Sequence, residues 1–233
     1  MYDNYFYYSY SFNYLLIALT FVITLGAQFY INSKYKSTKK IENKRNITGY
    51  DVARKILDNN DLKNVKIEKT SGLLSDHYDP SKKVVRLSSD IYDSTSIASI
   101  SVAAHECGHA IQDKNNYFFL RFRSFIFPLV NIASSAGYIA ILIGLFAGAL
   151  GFIKIGIAAE LIILLFQLIT LPVEFNASSR GLKQIELLNI ADKEEKSKCR
   201  GMLTAAALTY VAAVATSLLE ILRLVLILNR NKR

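Results

Sequence analysis

Charged side chains are missing from long stretches of this 233-residue chain. No Asp, Glu, Lys or Arg occurs in residues 4–33, 124–153 or 201–219, and a fourth apolar stretch, residues 155–173, contains only Glu160. A helix needs about 20 apolar residues to cross the hydrocarbon core of a bilayer. A buried helix of a soluble protein rarely continues so far without a polar face. The sequence therefore predicts four membrane spans.

Cysteine and histidine are also scarce. The chain has two cysteines, Cys107 and Cys199, and their separation indicates neither a disulfide framework nor a paired metal site. We interpret Cys107 as a small packed residue of a helix. There are only three histidines, so a metal site in this chain is expected to include a carboxylate among its ligands.

Basic residues exceed acidic ones and give a net charge of +9, which raises the question of nucleic-acid binding. The densest basic run, residues 34–45, directly follows the first apolar stretch, where lysines attract anionic lipid and fix orientation. We therefore predict the lipid bilayer as a partner and no nucleic acid. The basic residues put segment 32–123 and the loop at 180–200 in the cytoplasm, and the connection 151–156 outside. The basic tail after the fourth span conflicts with this orientation.

The first apolar stretch resembles a membrane anchor more than a cleaved signal peptide, because the residues before it, "MYDNYFYYSYS", contain no basic side chain. Together these patterns predict a mainly α, integral membrane helical protein with about four spans and a small α+β cytoplasmic domain. The expected segments are an N-terminal transmembrane anchor (1–31), a soluble domain (32–123), a transmembrane hairpin (124–173), a helix extension with a cytoplasmic loop (174–202), and a C-terminal transmembrane helix with a basic tail (203–233).

Within the soluble domain the pattern alternates between helix and strand. Thr48 followed by Asp51 predicts a capped helix start. "VKIEK" and "SKKVVRLS" predict two strands, with a turn at Pro80 between them. A helix entered through Asp93 or Ser94 is predicted to continue to residue 114. We hypothesise that the second strand offers a free edge with which an extended peptide substrate can pair.

The stretch "SVAAHECGHAIQ", residues 101–112, contains two of the three histidines. On a helix, His105 and His109 lie on one face and can bind a single ion. Imidazole nitrogens are ordinary Zn²⁺ ligands. Glu106 lies about 100° further around the helix, where its carboxylate can take a proton from metal-bound water. Gly108 and Ala104 leave room for another element to pack against this helix.

A catalytic zinc ion usually has three protein ligands and one open position. Because only His77 remains, the third ligand is expected to be a carboxylate, and the candidate is Glu174 in "LPVEFNASSR". Two predicted spans separate Glu174 from His109, so the chain crosses the membrane twice and returns Glu174 to the same side. Asn176 and Arg180 follow on the same helix and are predicted to orient a ligand or to bind substrate. An ordinary interfacial carboxylate is the alternative for Glu174.

Several motifs together resemble a known family. "HECGHAIQ", "SDHYDP", "VVRLS", "LRFRS", "LPVEFNASSR" and "AAALTYVAA" are similar to the neutral zinc metallopeptidases of bacterial membranes, called YugP-like, over about residues 10–228. More distantly, the chain resembles integral-membrane gluzincins of the HtpX and CAAX-protease type. The resemblance implies a zincin-like domain in a multi-pass bacterial cell-membrane protein. It also implies one Zn²⁺ per chain held by His105, His109 and Glu174, with Glu106 as general base.

The leading functional hypothesis is thus a membrane-embedded zinc metalloendopeptidase that hydrolyses peptide bonds of protein or peptide substrates, with zinc-bound water activated by Glu106. His77 is predicted to stabilise the oxyanion of the tetrahedral intermediate, and its alternative is an ordinary turn residue. Two other functions remain open at this point. One is a zinc-containing membrane scaffold or binding protein without proteolysis, and the other is a transporter using Glu160 and Glu220.

Overall fold

The structure is a computed structural model, and it describes residues 2–72 and 75–230. These residues are mainly helical and include one small sheet, which confirms the predicted mainly α class. In chain order the elements are α1 (Tyr2–Lys39), α2 (Gly49–Asn59), β1 (Lys66–Thr70), β2 (His77–Asp79), β3 (Val84–Ser88), α3 (Ser89–Tyr92), α4 (Ile97–Lys114), α5 (Phe118–Phe146), α6 (Leu150–Leu187) and α7 (Lys193–Arg230).

Among the residues that the structure describes, four helices are long and apolar enough to cross a membrane, as the sequence predicts. The candidate spans are Ser11–Lys39, Phe118–Phe146, Leu150–Leu187 and Lys193–Asn229. The connection between the second and third spans differs from the expectation. It consists of residues 147–149, and residues 151–156 already belong to α6. Gly156 lies within α6, where an added Cβ atom would be 2.4 Å from a side-chain carbon of Ile141 on α5, so glycine allows the two helices to approach closely here.

Residues Met1–Gln28, Phe122–Thr170 and Thr209–Arg233 form one compact unit, here called the apolar unit. A small buried cluster in it joins Ile141 and Ile153 to Leu224 and Ile227. The Arg223 guanidinium donates to the Glu220 carboxylate, with 2.8 Å between Nε and Oε2. Charged groups are costly in hydrocarbon unless they are paired, so this pair has a structural explanation and needs no role in transport.

Residues Phe29–Arg121 and Leu171–Leu208 form a second compact unit, here called the α+β unit. Its core is built mainly from the apolar faces of α2 and α4, with Val52, Ile56, Ile97 and Ile100 fully buried. The helix α2 begins with the predicted capping box: the Thr48 side chain accepts from the Asp51 N–H, and the Asp51 carboxylate accepts from the Thr48 N–H.

The sheet of the α+β unit has the strand order β1-β3-β2. β1 is parallel to β3, with Lys66 opposite Val84, and β2 is antiparallel to β3, with Tyr78 opposite Val85. The strand β3 therefore has a partner on each side, and the hypothesis that it offers a free edge is wrong. Within the described residues the edge next to α4 belongs to β2, a strand that the sequence pattern did not predict.

Candidate metal centre

The helix α4 carries the two histidines of the motif. It begins at Ile97 and its cap is Ser96, two or three residues later than the predicted cap, because the Ser96 side chain accepts from the Ser99 N–H at 3.2 Å. The rings of His105 and His109 lie edge to face with centroids 4.8 Å apart, so they share one side of the helix as predicted. Cys107 is fully buried, as a packed residue would be.

Two glycines allow α4 and α6 to touch at the backbone. A Cβ atom added at Gly108 would lie 2.2 Å from the carbonyl oxygen of Ala177, and one added at Gly181 would lie 2.6 Å from that of Ala104. Neither distance is possible for a real side chain, so glycine is required at both positions. This confirms that Gly108 and Ala104 make room for another element, and that element is α6.

The close crossing brings Glu174 of α6 to the two histidines of α4. Glu174 Oε2 lies 3.2 Å from His105 Nε2 and 3.7 Å from His109 Nε2. One possible ligand atom from each of the three residues falls within 4.8 Å of the others. Glu174 and His109 are buried, with 4% and 9% of their surface exposed. The three predicted ligands thus meet in one place, although their binding of an ion stays a prediction.

This donor set fits a zinc ion. Zn²⁺ binds imidazole nitrogen and carboxylate oxygen at about 2.0–2.2 Å in tetrahedral geometry, so two neighbouring ligand atoms are about 3.3–3.6 Å apart. The separations of 3.2 and 3.7 Å between the Glu174 oxygen and the two nitrogens are close to that spacing, whereas the whole cluster extends to 4.8 Å, wider than three ligands around one bound ion. Three protein ligands also leave one tetrahedral position for water or substrate, the arrangement of catalytic rather than structural zinc sites.

The second nitrogen of each histidine also has a partner. His109 Nδ1 lies 3.0 Å from Gln112 Oε1, and His105 Nδ1 lies 3.0 Å from the Ser178 hydroxyl. The Gln112 amide nitrogen donates to the Val173 carbonyl at 2.8 Å, which assigns its oxygen to His109. That oxygen only accepts, so Nδ1 of His109 carries the proton and Nε2 is left with a free lone pair for a metal.

Glu106 is buried beside the cluster, with 7% of its surface exposed. Burial raises the pKa of its carboxyl group to about 7, because the charged form is poorly solvated there. His105 opposes this increase in pKa, whereas the negative charges of Glu174 and Asp76 add to it. The backbone N–H of Tyr78 lowers the pKa by hydrogen bonding to the carboxylate. Glu106 therefore adjoins both the cluster and the edge strand β2.

The remaining predicted site residues lie around the cluster or away from it. His77, on β2, is exposed: its Nδ1 is 2.7 Å from the Ser75 carbonyl oxygen and its Nε2 is 3.2 Å from Arg86. Asn176 is half-buried, and its side-chain oxygen accepts from Gln112 at 3.0 Å and from Arg180 at 2.7 Å. The catalytic role of His77 and the substrate-binding roles of Asn176 and Arg180 stay predictions.

Sequence reasoning missed two residues that contact the histidines, Gln112 and Ser178. Gln112 lies three residues after His109, a spacing that places both side chains on one face of a helix. Ser178 lies four residues after Glu174, a spacing that places it on the same face of α6 as that glutamate. Their spacing was the available signal, but polar residues at such positions are common on any helix.

These features define a mainly helical protein with four candidate membrane spans, a small sheet and a His–His–Glu cluster suited to a metal ion. Comparison with known proteins then identifies the family. The chain belongs to the family described as "Putative neutral zinc metallopeptidase", whose model matches residues 13–229. This confirms the resemblance seen in the sequence motifs.

A curated relative supports the same assignment. The chain is similar to the "Putative membrane protease YugP" of Bacillus subtilis (strain 168), with 45% identity over 205 residues. The match covers 88% of this chain and 91% of the relative. No solved structure matches the chain.

Proposed function

We propose that this protein is a membrane-embedded zinc-dependent metalloendopeptidase of the bacterial cell membrane. It hydrolyses peptide bonds of protein or peptide substrates at the membrane surface, and its zincin-like segment 32–123 lies on the cytoplasmic side. The observation that carries the proposal is the meeting of His105, His109 and Glu174 within 4.8 Å, with the buried Glu106 next to them. Membership of a family described as zinc metallopeptidases supports it.

His105, His109 and Glu174 would hold one zinc ion, and the hydrogen bonds of Ser178 and Gln112 would keep the two imidazoles oriented towards it. Zinc, when bound, supplies a Lewis acid that polarises the scissile carbonyl and lowers the pKa of the attacking water. A structural zinc site needs neither an open position nor a buried carboxylate beside the ligands. The presence of both favours hydrolysis over a scaffold.

Glu106 moves the proton in this mechanism. Its carboxylate takes a proton from the attacking water and then passes it to the nitrogen of the leaving amine. The side chain follows His105 directly in α4, so it lies beside the ligand face rather than on it. The Tyr78 N–H helps to hold the carboxylate in place.

The substrate lies in extended form beside β2, the edge strand next to Glu106. His77 is on the same strand, and its Nε2 would have to leave Arg86 before it could donate a hydrogen bond to the oxyanion. Asn176 is joined to His109 through Gln112. Asn176 and Arg180 hold Gln112, which orients His109, and they bind the adjoining part of the substrate.

Replacing Glu106 by Gln tests the proposal. The variant should retain stoichiometric zinc, because the amide leaves the three ligands intact. Cleavage of casein should fall by at least about 100-fold, because the amide cannot accept the proton. Zinc content and cleavage are measured on the purified full-length protein, with and without a chelator. Glu194→Gln, which changes an exposed carboxylate paired with Lys198, is the matched control and should cleave casein normally.

Replacing Glu174 by Ala completes this experiment. The variant should lose both zinc and activity. A fully active Glu106→Gln protein would end the peptidase assignment, and stoichiometric zinc with full activity in Glu174→Ala would show that another residue is the third ligand.

A further inference from the structure

A cavity of about 410 Å³ lies between the last turns of α6 and the first turns of α7, within the α+β unit. Small-molecule sites commonly have volumes of about 300–1,000 Å³, so this one can hold a headgroup-sized ligand. None of the residues proposed above to bind zinc or to move protons lines it. Ser178, whose hydroxyl lies 3.0 Å from His105 Nδ1, lines the cavity, so the cavity adjoins the proposed metal centre without containing its ligands.

The charge of the cavity is predominantly positive. Lys183, Lys196 and Arg200 line it, together with Glu186 as the acidic member. Lys196 forms an ion pair with Glu186. Within the described residues, Lys183 and Arg200 form no ion pair, although the charge of Arg200 also attracts Glu186. Both side chains are exposed, and the three basic residues against one acidic residue leave the lining with a net positive charge. Hydroxyl groups of Ser178, Ser179 and Thr204 also line the cavity and offer hydrogen bonds.

The polarity of the lining changes along the two helices. The basic residues lie towards the connection between α6 and α7, and Phe175, Leu203 and Ala207 line the other end. In α7, the residues between Arg200 and Glu220 are all uncharged. In α6, residues 155–173 include a single charged residue, Glu160. The cavity therefore bridges the boundary between the charged parts of these helices and their apolar stretches.

We infer that this cavity binds the headgroup of an anionic glycerophospholipid. The phosphate contacts Lys183 and Arg200, and the glycerol end with the first carbons of the acyl chains contacts Phe175, Leu203 and Ala207. Basic residues directly next to a membrane span attract anionic lipid. A free phosphate or a peptide carboxylate would use the charges but not the apolar end. This inference goes beyond the proposed function and does not depend on it.

The test measures lipid binding to the full-length protein in detergent by native mass spectrometry. Phosphatidylglycerol and phosphatidylcholine with the same acyl chains are the two probes. The wild type should bind one phosphatidylglycerol in preference to phosphatidylcholine. The double variant Lys183→Gln/Arg200→Gln should bind phosphatidylglycerol about 30-fold more weakly, which corresponds to about 1 kcal/mol per basic residue.

The matched control is Lys55→Gln/Lys63→Gln, which removes two exposed lysines of the same unit from outside the cavity. It should bind phosphatidylglycerol like the wild type. Unchanged binding in the double variant, or an equal loss in the control, overturns the inference. So does displacement of the lipid by free glycerol phosphate at a concentration no higher than that of the lipid, which would show that the acyl chains contribute nothing and indicate a small-anion site. Displacement by a peptide through its terminal carboxylate would also overturn it and indicate a substrate subsite.

Discussion

The orientation of the two imidazoles depends on side chains that do not themselves reach the candidate metal position. His109 is held by Gln112, which is fully buried and also donates to the Val173 carbonyl and to Asn176. A single amide group therefore links the histidine helix α4 to the glutamate helix α6. Partners of this kind fix the tautomer and direction of a metal-binding histidine.

Gln112→Ala should weaken zinc binding about 10- to 100-fold, because His109 loses the acceptor for its Nδ1–H and can rotate away from the other ligands. The measurement is the zinc dissociation constant of the purified protein, obtained by competition with a chelator. Gln184→Ala is a matched control, because Gln184 is also a buried amide of the α+β unit and bonds Asn59 rather than a histidine. Equal zinc affinity in the Gln112 variant and the wild type would contradict the orienting role.

At the scale of single residues, the sequence predicted mainly those site residues whose separation along the chain places them on one face of a helix. His105, Glu106 and His109 were recognisable because four residues make about one helical turn. The choice of Glu174 needed the two intervening spans as well as the family resemblance. Gln112 and Ser178 could not be distinguished from other polar helix residues, since only the packing of α4 against α6 gives them their contacts.

At the scale of elements, the contact between α4 and α6 determines whether the cluster exists. Gly108→Ala would place a methyl group 2.2 Å from the Ala177 carbonyl oxygen, so the helices must separate. We expect a loss of unfolding free energy of about 1–3 kcal/mol and a marked loss of zinc affinity, because Glu174 moves away from the histidines. Thermal unfolding and zinc content are the measurements.

Gly201→Ala is the matched control for this prediction. Gly201 also lies within a helix of the α+β unit, but nothing lies within 4 Å of its added Cβ atom. That substitution should be neutral or slightly stabilising, since alanine favours a helix over glycine. Similar stability and zinc content in the two variants would show that the close crossing of α4 and α6 does not hold the cluster together.

Element prediction succeeded where local signals were strong. The capping box at Thr48 and the alternating patterns of β1 and β3 were visible in the sequence. The strand β2 was not, because it has three residues and is followed by Pro80, which indicates a turn. The start of α4 was placed too early because Asp93 and Ser94 are good caps. In the structure the short helix α3 occupies residues 89–92, and Ser96 caps α4.

At the scale of the whole molecule, the prediction to test is which side of the membrane the α+β unit faces. Lys63→Cys introduces a thiol in the α+β unit, and Ala147→Cys introduces one in the connection between α5 and α6. Both positions are exposed, and the native Cys107 and Cys199 are buried. The distribution of basic residues predicts that a membrane-impermeant maleimide labels Cys at 147 in intact cells but not at 63.

Lysed cells provide the control for this measurement, because both introduced cysteines should then be labelled. Labelling at 63 and protection at 147 in intact cells would reverse the orientation and place the peptidase segment outside. The basic residues after the fourth span would in that case lie in the cytoplasm, which is where basic residues next to membrane spans are usually found.

The order of the cluster residues along the chain has a consequence for how the protein is made. His105 and His109 precede α5, whereas Glu174 follows most of α6. If these three residues are the ligands, a nascent chain carries only two of them until α5 and the part of α6 that precedes Glu174 have been synthesised. Proteolysis then starts only once the helical hairpin is in place. Helix insertion would serve the purpose that a removable propeptide serves in secreted proteases, protecting the translation machinery from a newly made enzyme.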